Sequence, residues 1–275
     1  MNPRTVLVIL VAASGVMPRP AAARIPGLAP GDPYGIRQTS LLDRSRPFEN
    51  EWQITKTEHF DITFTAIAAG DLERIAATAE RAYRRISAGL AHELSLRPLI
   101  VVYGTRADVQ RAAAARSFPA NREHLLWALD TPAVQADGDF VHELTHVFAF
   151  DIVPVTVRRE LPSWLHEGLA EFERGEWAAS DLGIVRELLR ANGFPTLVRW
   201  SAEGSTNAAP LQKIVGHLAF DFLVARAGQD AVKRVLVSLR DNVTSPIDVY
   251  LTPIGLTASQ FEAEFERYVR TRFAA

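Results

Sequence analysis

Between Phe140 and Phe150 the chain has little freedom in what it can become. Phe140, Val141, Leu144, Val147, Phe148 and Phe150 put apolar groups around a helix, so the segment belongs in a core. His142 and His146 sit among them. Residues four apart on a helix lie nearly above one another, so the two imidazoles can aim their ring nitrogens at one point beside it. Glu143, the only charge between Phe140 and Phe150, stands next to His142. It can reach a water at that point but lies too far round the helix to serve easily as a further ligand. Two readings fit: a helix that grips a divalent metal, and a core helix with two satisfied histidines. A glutamate beside a buried imidazole pair is an odd way to build an inert core, which favours the metal.

Fifteen residues beyond His146 a second block begins, Leu161-Pro162-Ser163-Trp164-Leu165-His166-Glu167-Gly168-Leu169-Ala170-Glu171-Phe172. Pro162 marks a helix entrance, and Trp164, Leu165, Gly168, Leu169 and Phe172 form its apolar stripe. Glu167 and Glu171 share a face, which is costly unless a cation or a hydrogen-bond donor lies opposite. A zinc ion and the ring of a ligating histidine supply both. Glu167 becomes the third ligand, and Glu171 an acceptor that orients one imidazole from behind. His166 points from another face, as a structural or rim residue.

With both blocks in place the chain resembles the gluzincin metallopeptidases, whose pattern is an H-E-x-x-H helix followed by a helix reading roughly W-L-x-E-G-x-A, in which the glutamate before glycine binds zinc. The resemblance is specific over residues 141–172. It implies an α+β, zincin-like fold: an N-terminal mixed α/β lobe with a small sheet and the active-site helix, a C-terminal all-helical lobe, and zinc in the cleft between. It also implies that the strand ahead of the zinc helix, Leu125 to Asp130, forms a sheet edge to which a peptide can add its backbone, with Leu125, Trp127 and Leu129 against the substrate. An ordinary internal strand is the alternative. His124, at its head, reads as solvated.

The rest of the chain sets the frame. Residues 1–23 read as an export signal, with Arg4, an apolar run from Val6 to Met17, and Ala21-Ala22-Ala23 as a cleavage site. The run is short for a bilayer, so a retained anchor is the weaker reading. Residues 24–50, broken by Pro26, Pro30, Pro33 and Pro47, read as an extended lead-in. An α/β lobe is expected over 51–152 and a helical lobe over 153–275. There is no cysteine, so no disulfide holds an exported chain together. A net charge of -2 gives no electrostatic case for nucleic acid or an anionic membrane. The expected location is periplasmic or extracellular, without stable membrane insertion once the signal is cut. The sequence leaves oligomeric state open.

Periodicity predicts strands over 59–65, 98–103 and 125–129, with His59 a strand-edge residue. It predicts helices over 71–94, 106–116, 177–192, 211–227 and 230–240, and a last helix opened by a Thr257/Gln260 capping box that buries Phe261, Phe265, Tyr268 and Phe273. Pro119-Ala120-Asn121 and residues 200–210 read as loops.

Three protein ligands leave one position on a zinc ion open, as in catalytic sites. Water there is acidified to a pKa of about 7, and Glu143 as general base lets it attack a carbonyl polarised by the metal. The pattern lacks a donor for the developing oxyanion. His217 is the first candidate, flanked on its helix by Lys213 and Asp221; a solvated histidine in a charge ladder is the other reading. Tyr250 is a second candidate if its loop folds back. Zinc aminopeptidases carry a tyrosine where this chain has Leu211, and a glycine- and glutamate-containing block that residues 100–141 lack, so aminopeptidase specificity is not implied. The expected function is an exported zinc peptidase with one catalytic ion, acting on a peptide or protein. The alternative is a zinc-binding but catalytically idle module that holds a peptide in the same cleft.

Overall fold

The computed structural model describes residues 52–65, 67, 69–115, 124–153, 161–175, 177–191, 194–198, 209–241 and 246–273. The signal at 1–23, the lead-in at 24–50, the loop at 119–121 and most of the 200–210 loop lie outside them. The architecture is α+β: four strands in one mixed sheet, and helices elsewhere. Of the described residues, those up to Arg84, with those of Ser95–Leu144, form one compact unit; Arg85–Leu94 and those from Thr145 onward form the other.

In the first unit the strands β1 (Gln53–Lys56), β2 (Asp61–Phe64), β3 (Leu99–Tyr103) and β4 (His124–Ala128) lie in the order β1-β2-β3-β4. β1 is antiparallel to β2; β2, β3 and β4 are parallel. Every residue of β3 is buried, as a strand covered on both faces requires. Val101, in register with Leu126, faces one side with Trp52, Val109 and Ala112, the last two from helix α2 (Arg106–Ala115). On the other face Trp127 meets Phe140 at 5.2 Å between ring centroids, and the Arg74 guanidinium lies 5.9 Å over the Trp127 ring. Arg74 belongs to helix α1 (Ala69–Leu90) and Phe140 to helix α3 (Ala133–Ile152). α1 buries Leu72, Ile75, Ala79, Tyr83, Ile86 and Leu90 from the stripe its spacing predicts.

In the second unit α4 (Ser163–Arg174) packs on α6 (Ala209–Ala227), with α5 (Ala179–Arg190), α7 (Asp230–Asp241), α8 (Pro246–Leu251), a 3-10 turn at Thr252–Ile254 and α9 (Ala258–Phe273) completing it. α4 stops at Gly175, whose φ of 82° is the left-handed geometry that ends helices. The crossing of α4 and α6 is backbone to backbone. A Cβ on Gly168 would stand 2.4 Å from the Cα of Gly216, and one on Gly216 would stand 2.0 Å from the carbonyl oxygen of Trp164.

One strand and one α-helix were not foreseen. β1 was missed because Gln-Ile-Thr-Lys offers one apolar residue and no alternation. α8 was missed because Tyr250 was placed in a loop, whereas Pro246 opens a helix there, where its lack of an N–H costs nothing. The α9 capping box forms as expected: Thr257 N donates to Gln260 Oε1 at 3.0 Å, and Gln260 N to Thr257 Oγ1 at 3.3 Å. Phe261 and Phe265 are buried, while Tyr268 and Phe273 are half-buried and Val269 takes the third core position. Thr257→Ala should cost about 1 kcal/mol, read as a lower denaturant midpoint with an unchanged slope. No described helix is long and apolar enough to cross a membrane.

Candidate metal centre

His142 and His146 stand one turn apart on α3, both buried at 4% and 3% exposure. Of residues 140–149, Glu143 alone is not fully buried. α4 adds Glu167. One ligand atom from each of His142, His146 and Glu167 lies within 4.8 Å of the others, so the three form a group able to hold a metal ion. His146 Nε2 and Glu167 Oε1 are 3.7 Å apart. Two donors bonded tetrahedrally to one zinc would be separated by about 3.4 Å, so this pair needs almost no movement to share an ion. Two neutral rings and a carboxylate are also the donors a borderline-soft divalent cation prefers.

The surroundings of Glu167 were only partly foreseen. His166, expected on another face, has Nδ1 3.6 Å from Glu167 Oε1, and its ring centroid lies 5.3 Å from that of His146. Lys213 Nζ lies 2.9 Å from Glu167 Oε2. Lys213 comes from α6, and no local spacing links it to Glu167; the glycine crossing does. Glu171, one turn further along α4, has Arg174 Nη1 at 3.7 Å, and its charge is felt by His217.

The charge ladder expected on α6 does not form, because each member is engaged elsewhere. Lys213 faces Glu167, and Asp221 lies 3.3 Å from Arg272 Nη1. His217 is 4% exposed, stacked on Trp177 at 3.9 Å between centroids, with the Phe172 ring edge-on to it. Its ring is packed against Trp177 and Phe172 and is not solvated. Burial drives its pKa down to about 4, with Glu171 pulling upward against it and Arg272 pushing further down. Because the folded value lies below the unfolded one, the unfolded chain takes up a proton that the native chain refuses. Stability is therefore intact above about pH 6.5 and is lost as pH falls from there toward 4. Between pH 7 and 4, His217→Phe should lose on the order of 2–3 kcal/mol less than the parent, measured by denaturant titration at each pH.

Tyr250 is likewise a core residue: it lies on α8, fully buried, and its hydroxyl donates to the Ala219 carbonyl. β4 does stand at one end of the strand order among the described residues. Leu125 and Trp127 are fully buried and Leu129 half-buried, so what β4 can offer a peptide is main chain.

A second group, Glu58, His59 and Glu80, also brings three potential donors together. Its carboxylates already have protein partners. His59 Nδ1 is 2.6 Å from Glu80 Oε2, and Arg84 Nη2 stands 3.4 Å from Glu58 and 3.5 Å from Glu80. Burial alone would raise the Glu80 pKa, but hydrogen bonds from Thr57 and His59 outweigh it and hold the carboxylate below its usual range. His59 thus ties β2's approach to α1 and stacks on Tyr83 at 3.8 Å. No protein-family model matches the chain, and no curated protein matches it.

Proposed function

We propose that the chain is a zinc-dependent peptidase of the gluzincin type, with a zincin-like arrangement of its helices. The observation that carries this reading is the meeting of His142, His146 and Glu167 beside a helix on which Glu143 is the one residue of 140–149 not fully buried. When bound, the ion would polarise a scissile carbonyl and make a nearby water a better nucleophile. His142, His146 and Glu167 hold it; three donors suit a catalytic rather than a structural centre. Glu143 takes the proton from the attacking water and returns it to the leaving amine. A peptide pairing with the main chain of β4 would be presented in extended form. The export reading of residues 1–23 belongs to the same proposal and rests on sequence alone.

The test uses one purified sample made without chelator: its metal content, and its cleavage of a mixed peptide library with product sites mapped. Stoichiometric zinc with discrete cleavage sites is expected. Stoichiometric zinc without cleavage would favour the idle peptide-holding module, and no metal at all would reduce α3 to a core helix.

A further inference from the structure

We infer that Lys213 is a positioning residue for this centre: its ammonium group holds Oε2 of Glu167, so that Oε1 alone is turned toward the histidines. The inference rests on the metal-binding reading above. A carboxylate can bind a cation through one oxygen or through both. Here Oε2 lies 2.9 Å from Lys213 Nζ, an ion pair rather than an aligned hydrogen bond, and Oε1 lies 3.7 Å from His146 Nε2.

The division is built into the fold. Glu167 precedes Gly168 by one residue, and Lys213 precedes Gly216 by three. The backbone contact between those glycines fixes the register of α4 against α6, and with it the distance from ammonium to carboxylate. The Lys213 side chain is 38% exposed and that of Glu167 21%, so the pair contributes little energy as a salt bridge. Its importance is geometric. With Oε2 engaged, the protein supplies three donors and one position stays open to water or substrate. Released from Lys213, Oε2 would be free to swing round and bind the ion as well, giving five-coordination with the water still in place. His166 Nδ1, 3.6 Å from Oε1, is a second group beside the carboxylate, so it serves as the comparison.

Cobalt(II) alone is a suitable probe, because its visible absorption weakens as coordination rises from four to five. Metal-free parent, Lys213→Met, Lys213→Arg and His166→Ala proteins would be titrated with Co²⁺ and their spectra compared at saturation. Parent, Lys213→Arg and His166→Ala are expected to show the intense four-coordinate bands. Lys213→Met should show them several-fold weaker. Methionine preserves the length and helix preference of lysine, and circular dichroism of the metal-free protein checks the fold. Lys213→Ala gives the same expectation should Lys213→Met not fold. A parent-like spectrum in the folded variant overturns the inference while leaving the metal reading intact, as does a loss of intensity in His166→Ala alone. Failure of the parent to bind Co²⁺ brings down the metal reading and this inference together.

Discussion

Glu143→Gln is expected to bind metal like the parent chain and to cleave peptides about 10²–10⁴-fold more slowly, the usual contribution of a positioned general base. Glutamine matches glutamate in shape but cannot accept the proton of an attacking water. It leaves His142, His146 and Glu167 in place. Its site tolerates the change, because Glu143 is half-buried while residues 140–142 and 144–149 are packed into the core. The measurement pairs metal content with turnover on the best peptide from the library. Parent-like turnover would remove Glu143 from the mechanism. Loss of metal as well as turnover would mean that it is needed to assemble the centre.

Gly216→Ala and Gly168→Ala should each destabilise the protein by about 3 kcal/mol or more, at or beyond the top of the usual range for overpacking. The added methyl at Gly216 would meet the Trp164 carbonyl oxygen at 2.0 Å and Gly168 Cα at 2.7 Å. Those atoms are backbone and cannot turn aside, so the helices must separate. Separation carries Glu167 away from His146 and Lys213, and metal retention should fall with the melting temperature. Gly183→Ala is the control. It lies within α5 with nothing inside 4 Å of its would-be Cβ, so alanine there should stabilise by up to about 1 kcal/mol through helix preference alone. Equal effects at all three positions would contradict the crossing.

What could be read from the sequence was local. The four-residue spacing of His142 and His146, the stripe of α4 and the Thr257/Gln260 box each report contacts within a turn or two of helix, and the structure has them, except that α4 buries Ala170 and leaves Phe172 half-buried. Contacts that depend on tertiary packing were not legible. α6 illustrates this: Leu211, Ile214, Val215, Leu218 and Phe222 suggest one apolar face and a polar one opposite. In the structure Gln212 and every residue from Ile214 to Phe220 are buried, because Gly216 and Ala219 let neighbours close over the remaining surface. His217 is therefore swallowed where solvent was expected. Lys213 became visible as a partner of Glu167 only once two helices distant in sequence were in register. β4 shows a middle case: the gluzincin resemblance implies an outer strand, with an internal one as the alternative, but the burial of Leu125 and Trp127 follows from layers above and below that no single strand announces.

The glycine pair also bears on how a survey of every single substitution would look. Scored by hydrolysis alone, positions 168 and 216 would rank with the metal ligands as intolerant sites, though neither carries a functional group. An observer without coordinates would assign them to chemistry. Scoring abundance alongside activity would separate the two classes, since variants at 142, 143 or 167 should accumulate in the cell as folded, inert protein, whereas those at the crossing should disappear by proteolysis.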